Sequence, residues 1–414
     1  MISSDIIVGI DVGTTKICTV VARLARDGSL EIIGLGRVAS RGLRKGLVVD
    51  LERTIASVKE SKLQAEQVSG TEIDSAFVGV TGSHIEAHPS NAVVAVADPH
   101  KGITAGDTER ALDLAQRVDM PRGRRLIDVR VREYIVDGQI GIADPIGMSG
   151  MRLEVNTLLI TASVSQLENI YRAINHSGVD VEDIILVPIA SAEAVLTHEE
   201  RESGVALADI GGGTTDVAVY QDNCIAHIAI FPVGGDHFDS DLSYGIGITP
   251  REAEHLKVRL GGVGRESLTS DDLVEISKGG GERKEKIPCK IISEIIYPRM
   301  QEILYLMRGE LDKTGLLKRV PAGLVLTGGT SMMPGISEMA SDIFGLRTRI
   351  GYPRDIEGLS EDVRNPMFAT AVGLIKLGSR EYAEKRTGAF AAGVSGSISV
   401  VHDWVKILAK SFFR

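Results

Sequence analysis

Asp209-Ile210-Gly211-Gly212-Gly213-Thr214-Thr215-Asp216 is the stretch whose reading decides the fold. An apolar run, Val205 to Leu207, leads into it, and a second, Val217 to Tyr220, leaves it. That pattern is a strand, a tight glycine turn and another strand. Three consecutive glycines remove every Cβ, so the backbone can turn sharply and lie close to a ligand. Backbone N–H groups in such a turn form a concave cradle for phosphate oxygens, and the threonines add hydroxyl donors. A flanking aspartate repels a phosphate unless a cation sits between them. Asp209 is therefore a candidate Mg²⁺ ligand, directly or through water.

The same design occurs earlier. Ile6 to Ile10 reads as a buried strand, Asp11-Val12-Gly13-Thr14-Thr15-Lys16 follows, and Ile17 to Ala22 is a second strand. A duplication of this kind means two similar α/β halves, each presenting a phosphate loop. Asp11 and Asp209 would then face one Mg²⁺-nucleotide from opposite halves. Lys16 either reaches a phosphate or caps its own loop. A third glycine turn, Thr327-Gly328-Gly329-Thr330-Ser331, ends the buried strand Ala322 to Leu326. Gly234-Gly235 stands before a helix start and can bring backbone amides to the same ligand.

The whole chain sets bounds. Its 414 residues predict two or more domains. It is 43% apolar, 25% charged and only 4% aromatic, ordinary for a soluble α/β protein. A net charge of −10 argues against nucleic acid as a partner, which needs a basic face. Cys18, Cys224 and Cys289 are scattered, with no metal-ligand spacing and no disulfide framework. The N-terminus enters an apolar strand directly, so no signal peptide is expected. No apolar run approaches the ~20 residues that cross a bilayer.

Between these landmarks the periodicity predicts a helix from about Leu51 to Gln67. Residues 84–160 read as a small α+β insertion, with Ala111, Leu114, Ala115 and Val118 on one helix face. Its His84, His88 and His100 read as surface or loop residues. A capping box, Ser165 with Glu168, starts the next helix, and Gly178 stops it. Pro188 to Leu196 is helical. Thr249-Pro250-Arg251-Glu252 is another helix start, with Glu252 as the capping partner. Residues 261–288 read as a hairpin with Gly279-Gly280-Gly281 at its tip. A long helix, about Cys289 to Lys313, contains Pro298, which should kink or break it.

The tail has its own pattern. Residues 380–397 read as a flexible linker. At ~100° per residue, Val400, Val401, Trp404, Val405, Ile407, Leu408 and Phe412 then share one helix face. Lys406, Lys410 and Arg414 share the other with Asp403, and only Phe413 strays. A helix this short cannot span a bilayer but can lie in its interface. The basic residues would help it on anionic lipid.

Elements in this order resemble the actin/Hsp70/sugar-kinase superfamily, an actin-like (duplicated ribonuclease-H-like) two-lobed α/β fold. The phosphate loops would be 11–16 and 209–216, the adenosine loop 327–331, and the connecting helices 188–196 and about 366–377. Within it the chain is similar to the FtsA family of bacterial cell-division proteins. Ser40-Arg41-Gly42 with Lys45-Gly46 resembles that family's own motif, the insertion resembles its subdomain 1C, and the tail has its design. The resemblance implies subdomain 1A at 1–83 and 161–200, 1C at 84–160, 2A at 201–233 and 314–379, and 2B at 234–313. A linker at 380–397 and an amphipathic membrane-targeting helix at 398–414 complete it.

It also implies ATP with Mg²⁺ between the lobes. Asp11 and Asp209 would hold the metal. Gly13, Thr14, Thr15, Lys16, Gly211, Gly212, Gly213, Thr214, Gly234 and Gly235 would surround phosphates. Gly328, Gly329 and Thr330 would back the adenosine, and Glu254 and Lys257 match positions that contact ribose or adenine. Chaperone and bacterial-actin relatives carry a water-orienting glutamate just before the connecting-helix proline. Val187 stands there, and valine cannot accept a proton. Hydrolysis is then expected to be slow or absent, with Glu193 left open as a base. The resemblance further implies a polymer on the inner face of the plasma membrane at the septum. It would tether FtsZ through that protein's C-terminal tail and recruit other division proteins. Arg299 matches a position contributing to the tail site. Open alternatives are a PilM-like scaffold of type IV pilus assembly, a small-molecule kinase, and an Hsp70-like chaperone. No acidic base facing a substrate pocket supports the kinase, and no peptide-binding β-domain follows residue 378.

Overall fold

The computed structural model describes residues 5–25, 27–278, 283–387 and 397–398. Strand β1 (Asp5–Val12) is apolar at nearly every position and buried from Ile7 onward, as a strand covered on both faces must be. It forms an antiparallel hairpin with β2 (Lys16–Leu24), which pairs in turn with β3 (Leu30–Ala39). A two-residue hairpin, β4 (Leu43–Arg44) and β5 (Leu47–Val48), precedes helix α1 (Leu51–Ser69). Asp50 caps α1 by accepting from the Arg53 amide, and Gly70, at φ 65°, ends it. Strand β6 (Ser75–Val80) then returns parallel to β1.

The chain now leaves this lobe. β7 (Glu86–Ala95), α2 (Ala105–Ala115), β8 (Arg124–Val136), β9 (Gln139–Ile142) and β10 (Arg152–Ser163) form a separate antiparallel unit. It has a core of its own around Ile103, Ala111, Leu153 and Val155. Helix α3 (Val164–His176) and strand β11 (Asp180–Leu186) restore the first lobe, β11 lying parallel to β6.

Helix α4 (Val187–Val195) is buried at every residue and crosses towards the second lobe. After the short α5 (His198–Ser203), the first pattern repeats. β12 (Val205–Ile210) pairs antiparallel with β13 (Thr215–Gln221), which pairs with β14 (Cys224–Phe231). Helices α6 (Gly235–Ile246), α7 (Pro250–Leu260) and α8 (Arg265–Thr269) follow, then the hairpin β15 (Leu273–Lys278) with β16 (Arg283–Pro288). Helix α9 (Lys290–Lys313) leads to β17 (Leu324–Thr327), parallel to β12 as β6 is to β1. Each lobe thus centres on a strand with a hairpin partner on one side and a parallel partner on the other. Helix α10 (Ile336–Phe344) and β18 (Thr348–Ile350) complete the second sheet. β19 (Glu357–Gly358) joins the first sheet beside β3, and α11 (Ser360–Val363) follows. Helix α12 (Ala369–Thr387) packs along α4 and over β1, so both lobe-connecting helices share one core.

Several local expectations change. Helix α3 starts at Val164 with Ser163 as N-cap, because β10 runs unbroken to Ser163. Ser165 therefore makes no capping box with Glu168, and shares a hydroxyl contact with Ser163 at 3.1 Å. In α2 the inward stripe is Thr108, Ala111, Leu112 and Ala115; Leu114 is exposed, and Val118 lies beyond the helix end and is exposed too. His84 is buried, held in the turn where the chain leaves β6. Glu252 accepts from the Ser277 amide instead of closing its own helix cap. Helix α9 passes through Pro298 without a break.

Helix α12 continues to Thr387, so residues 380–387 of the expected linker are helical. Tyr382 fixes them by donating to Glu182 and packing edge-on against Phe77. Ile398, expected to open the tail helix, lies in β20 (Ser397–Ile398), paired with Val129 of β8. Gly279, Gly280 and Gly281, the linker residues 388–396, and Val401, Trp404, Val405, Lys406, Leu408, Lys410, Phe412 and Arg414 lie outside the described residues.

Candidate nucleotide and metal site

The two Asp-Gly-Thr turns meet face to face. A Cβ on Gly212 would fall 1.6 Å from Thr15 Oγ1, and one on Gly213 would fall 2.4 Å from Thr14 Oγ1. Only glycine lets the turns approach this closely. Thr15 Oγ1 donates to Asp236 Oδ1 at 3.1 Å, linking the first turn to helix α6. Gly234 and Gly235 lie behind the second turn: the Gly235 amide donates to Gly211 O at 2.9 Å and the Asp236 amide to Gly212 O at 2.8 Å. Thr330 Oγ1 donates to the same Gly211 carbonyl at 3.0 Å, bringing the third turn into the cluster. Gly328, at φ 85°, lies against the Asp209 carboxylate, where a Cβ would fall 2.3 Å from Oδ1. Gly329 directly follows it and opens a short 3₁₀ turn (Gly329–Met332).

Lys257 reaches this cluster, donating to Gly235 O at 3.1 Å and to Asp239 at 2.7 Å. Glu254, one turn earlier, is exposed and makes no hydrogen bond among the described residues. The structure brings Lys257 to the glycine turns and leaves Glu254 at the surface.

Three buried carboxylates converge here: Asp11, Asp209 and Asp216. Lys16 donates to Asp11 Oδ2 at 2.8 Å, so its ammonium caps its own turn. Burial pulls the Lys16 pKa down, yet the charge and hydrogen bond of Asp11 hold it above its ordinary value. Asp209 accepts from Ser191 of α4 and, at 3.3 Å, from Thr370 of α12. Burial pushes its carboxyl up to about 6, with the Ser191 bond opposing and the Asp11 charge adding. Asp216 accepts from Thr81 across the lobes and from Thr214 at 2.9 Å. Burial raises it to about 7, against those hydrogen bonds, and the Asp209 charge raises it further.

This donor set fits a hard cation. Carboxylates crowded in a buried cleft repel one another, and a divalent ion with oxygen ligands relieves that repulsion. Asp11, Asp209 and Asp216 lie near one another without forming a ready three-ligand metal site, and no other group of His, Cys, Asp or Glu among the described residues forms one. Asp11 and Asp209 would therefore share the ion with water and phosphate oxygens, as Mg²⁺ prefers.

Sequence alone does not mark Ser191, Thr370, Thr81, Asp216 and Asp236 as site residues. Asp216 closes the quoted motif and was within reach. Ser191 and Thr370 carry no sequence signal, since only the crossing of α4 and α12 places them on Asp209. Glu193, left open as a base, is bound by Arg201 at 3.0 Å and by Arg380 at 2.5 Å. A carboxylate whose two oxygens are engaged by two guanidinium groups is a structural anchor. Val187 is buried at the start of α4. On the second lobe, Arg299 is held by Asp241, through Nε at 2.8 Å and Nη2 at 3.1 Å, and by Glu302.

Two lobes of repeated topology, closing through glycine turns on one acidic cleft, define an actin-like protein. Solved structures share this fold: a chain of a PilM–PilN type IV pilus biogenesis complex has a TM-score of 0.66 at 16% identity, covering 90% of this chain and 98% of its own. MreB5 of Spiroplasma citri bound to ADP has a TM-score of 0.56 at 16% identity, covering 93% and 99%. The chain belongs to the FtsA family. The family described as "Cell division protein FtsA" matches residues 206–373, and "SHS2 domain inserted in FTSA" matches 82–161, the separate antiparallel unit. Cell division protein FtsA of Pseudomonas aeruginosa is 38% identical, over 95% of this chain and 93% of that protein. The Bacillus subtilis protein of the same name is 37% identical over 92% and 85%. That of Escherichia coli K12 is 33% identical over 97% of each.

Proposed function

We propose that this chain is an ATP-binding, actin-like cell-division protein. Nucleotide with Mg²⁺ sits between the lobes and governs self-assembly into filaments on the inner face of the plasma membrane at the septum. There the chain tethers FtsZ through the FtsZ C-terminal tail, with Arg299 in the tail site, and recruits other division proteins. The single observation that supports the nucleotide reading most is the facing of the two glycine turns over Asp11 and Asp209. The bound ion would screen the phosphates from both carboxylates. Gly13, Thr14, Thr15 and Gly211 to Thr214 would supply donors to phosphate oxygens, and Thr330 and Lys257 would border the nucleoside side.

With Val187 before the connecting-helix proline and both Glu193 oxygens engaged by arginines, hydrolysis is slow or absent. Nucleotide then acts mainly by closing the cleft between the lobes and enabling polymerisation. Membrane attachment falls to the tail after Ile398, where Trp404 and its apolar neighbours would enter the lipid interface and Lys406, Lys410 and Arg414 would meet anionic headgroups. Among the described residues no helix is long and apolar enough to cross a membrane.

The test is co-sedimentation with anionic liposomes, with and without ATP·Mg²⁺, of the full chain and of a version ending at Thr387. That end point keeps the Tyr382 contacts with Glu182 and Phe77. The full chain should pellet with lipid and the shortened one should stay in solution while still binding ATP. Equal pelleting of both sinks the anchor.

A further inference from the structure

The turn Arg44-Lys45-Gly46-Leu47 has no role in the site described so far. Lys45 and Gly46 join β4 to β5 as a two-residue hairpin with both φ values positive, 52° and 75°. Such a turn favours Asn, Asp or Gly at its first position, because a longer L side chain is strained there. Among the described residues, the other non-glycine residues at positive φ are Asp137, Asp222, Asn223 and Asp355, all of the tolerated kind. Lys45 is the exception, and strain of this sort is held at places where the side chain has work to do.

The turn is also fixed in place. The Gly46 amide donates to Thr14 Oγ1 at 3.0 Å, and the Ser40 amide donates to Thr15 O at 2.9 Å. On its other side Gly46 lies so close to Thr81 that a Cβ would fall 2.6 Å from the Thr81 carbonyl oxygen. Lys45 is thereby held beside the first phosphate turn. It is half-buried and makes no hydrogen bond or ion pair among the described residues. Its charge reaches across the cleft: His237, in the first turn of α6, is held below its ordinary pKa by burial and then by Lys45.

The charge balance of the cleft gives this lysine a task. Among the described residues two other ammonium groups lie there, and both are committed: Lys16 to Asp11 at 2.8 Å and Lys257 to Asp239 at 2.7 Å. A triphosphate entering between the turns brings more negative charge than one divalent ion neutralises. We propose that Lys45 is a phosphate ligand supplied from outside the two phosphate loops, receiving the terminal phosphate of the nucleotide and so distinguishing ATP from ADP. This inference rests on the nucleotide reading above. A lysine serves as a compact point charge for such a group.

The test is titration of the full-length protein with ATP and with ADP, each with Mg²⁺, alongside thermal melting. Lys45→Asn places a favoured residue in the turn and removes the charge. It should melt at or above the wild-type temperature, lose about tenfold or more in ATP affinity and keep its ADP affinity. Lys45→Arg should retain the preference for ATP. The inference is overturned if Lys45→Asn keeps the wild-type ATP-to-ADP ratio, whether both affinities hold or both fall together. A wild-type protein that binds ADP and ATP equally also overturns it while leaving the nucleotide site standing. A wild-type protein that binds neither overturns both readings.

Discussion

Gly373 of α12 lies directly on the backbone of Ala190 in α4: a Cβ on Gly373 would fall 1.7 Å from the Ala190 carbonyl oxygen. The crossing of the connecting helices, and with it the placement of Ser191 and Thr370 on Asp209, depends on that missing methyl. Gly373→Ala should force the helices apart and lower stability by about 1–3 kcal/mol, read as a lower melting temperature. Gly309, in α9, has open space around its missing Cβ and no positive φ. Gly309→Ala should raise stability by about 0.5–1 kcal/mol. Equal responses at the two sites would show that the crossing is not close-packed.

Asp209 carries a cost in the nucleotide-free protein. Its carboxyl is raised to about 6, first by burial, so keeping it ionised at neutral pH opposes folding. Asp209→Asn should stabilise the nucleotide-free chain by on the order of 1–3 kcal/mol. The same substitution should weaken Mg²⁺-dependent ATP binding by about tenfold or more. A variant that melts lower and binds ATP normally would refute the assignment of Asp209 to the metal.

His84 predicts acid sensitivity. Burial, with Arg124 adding, lowers it to about 4, and neither ring nitrogen has a hydrogen-bond partner among the described residues. As pH falls from about 6.5 towards 4, the unfolded chain takes up a proton that the native imidazole refuses. Native stability is therefore lost over that window, by on the order of 2–3 kcal/mol in full, and is unaffected above it. His84→Leu should narrow the gap between urea midpoints measured at pH 4.5 and pH 7. An unchanged gap would mean that His84 is protonated in the native protein.

Arg299 is held by Asp241 and Glu302. An acidic peptide must compete with them for the guanidinium. Fluorescence anisotropy with a labelled FtsZ tail peptide should show Arg299→Glu weakening binding by about tenfold and Asp241→Asn strengthening it severalfold. Weakening by Asp241→Asn would mean that the Arg299–Asp241 pair is structural, with the peptide bound elsewhere.

Much of this fold was legible because its decisive signals are local. Strand, glycine turn and strand follow one another within a dozen residues at Asp11 and again at Asp209, and each turn needs glycine for reasons of its own backbone. Helix ends were less legible where two elements join. At Ser163 the neighbouring β10 strand outweighs a good capping pattern at Ser165. In α12 the Tyr382 contacts with Phe77 and Glu182 carry the helix through residues that read as linker.

By itself the sequence determined two similar α/β halves, an inserted third unit, and three glycine turns suited to phosphate. Each of these follows from hydrophobic period and from the conformational freedom of glycine, which act over a few residues. Only the tertiary structure decided which side chains meet. Thr81 reaches Asp216 from the other lobe, Ser191 and Thr370 come together on Asp209, and Arg201 with Arg380 closes off Glu193. It also set Lys45 in a strained turn beside Thr14. Such contacts join residues far apart in the chain, and they depend on how helices cross and sheets face each other, which no local pattern encodes.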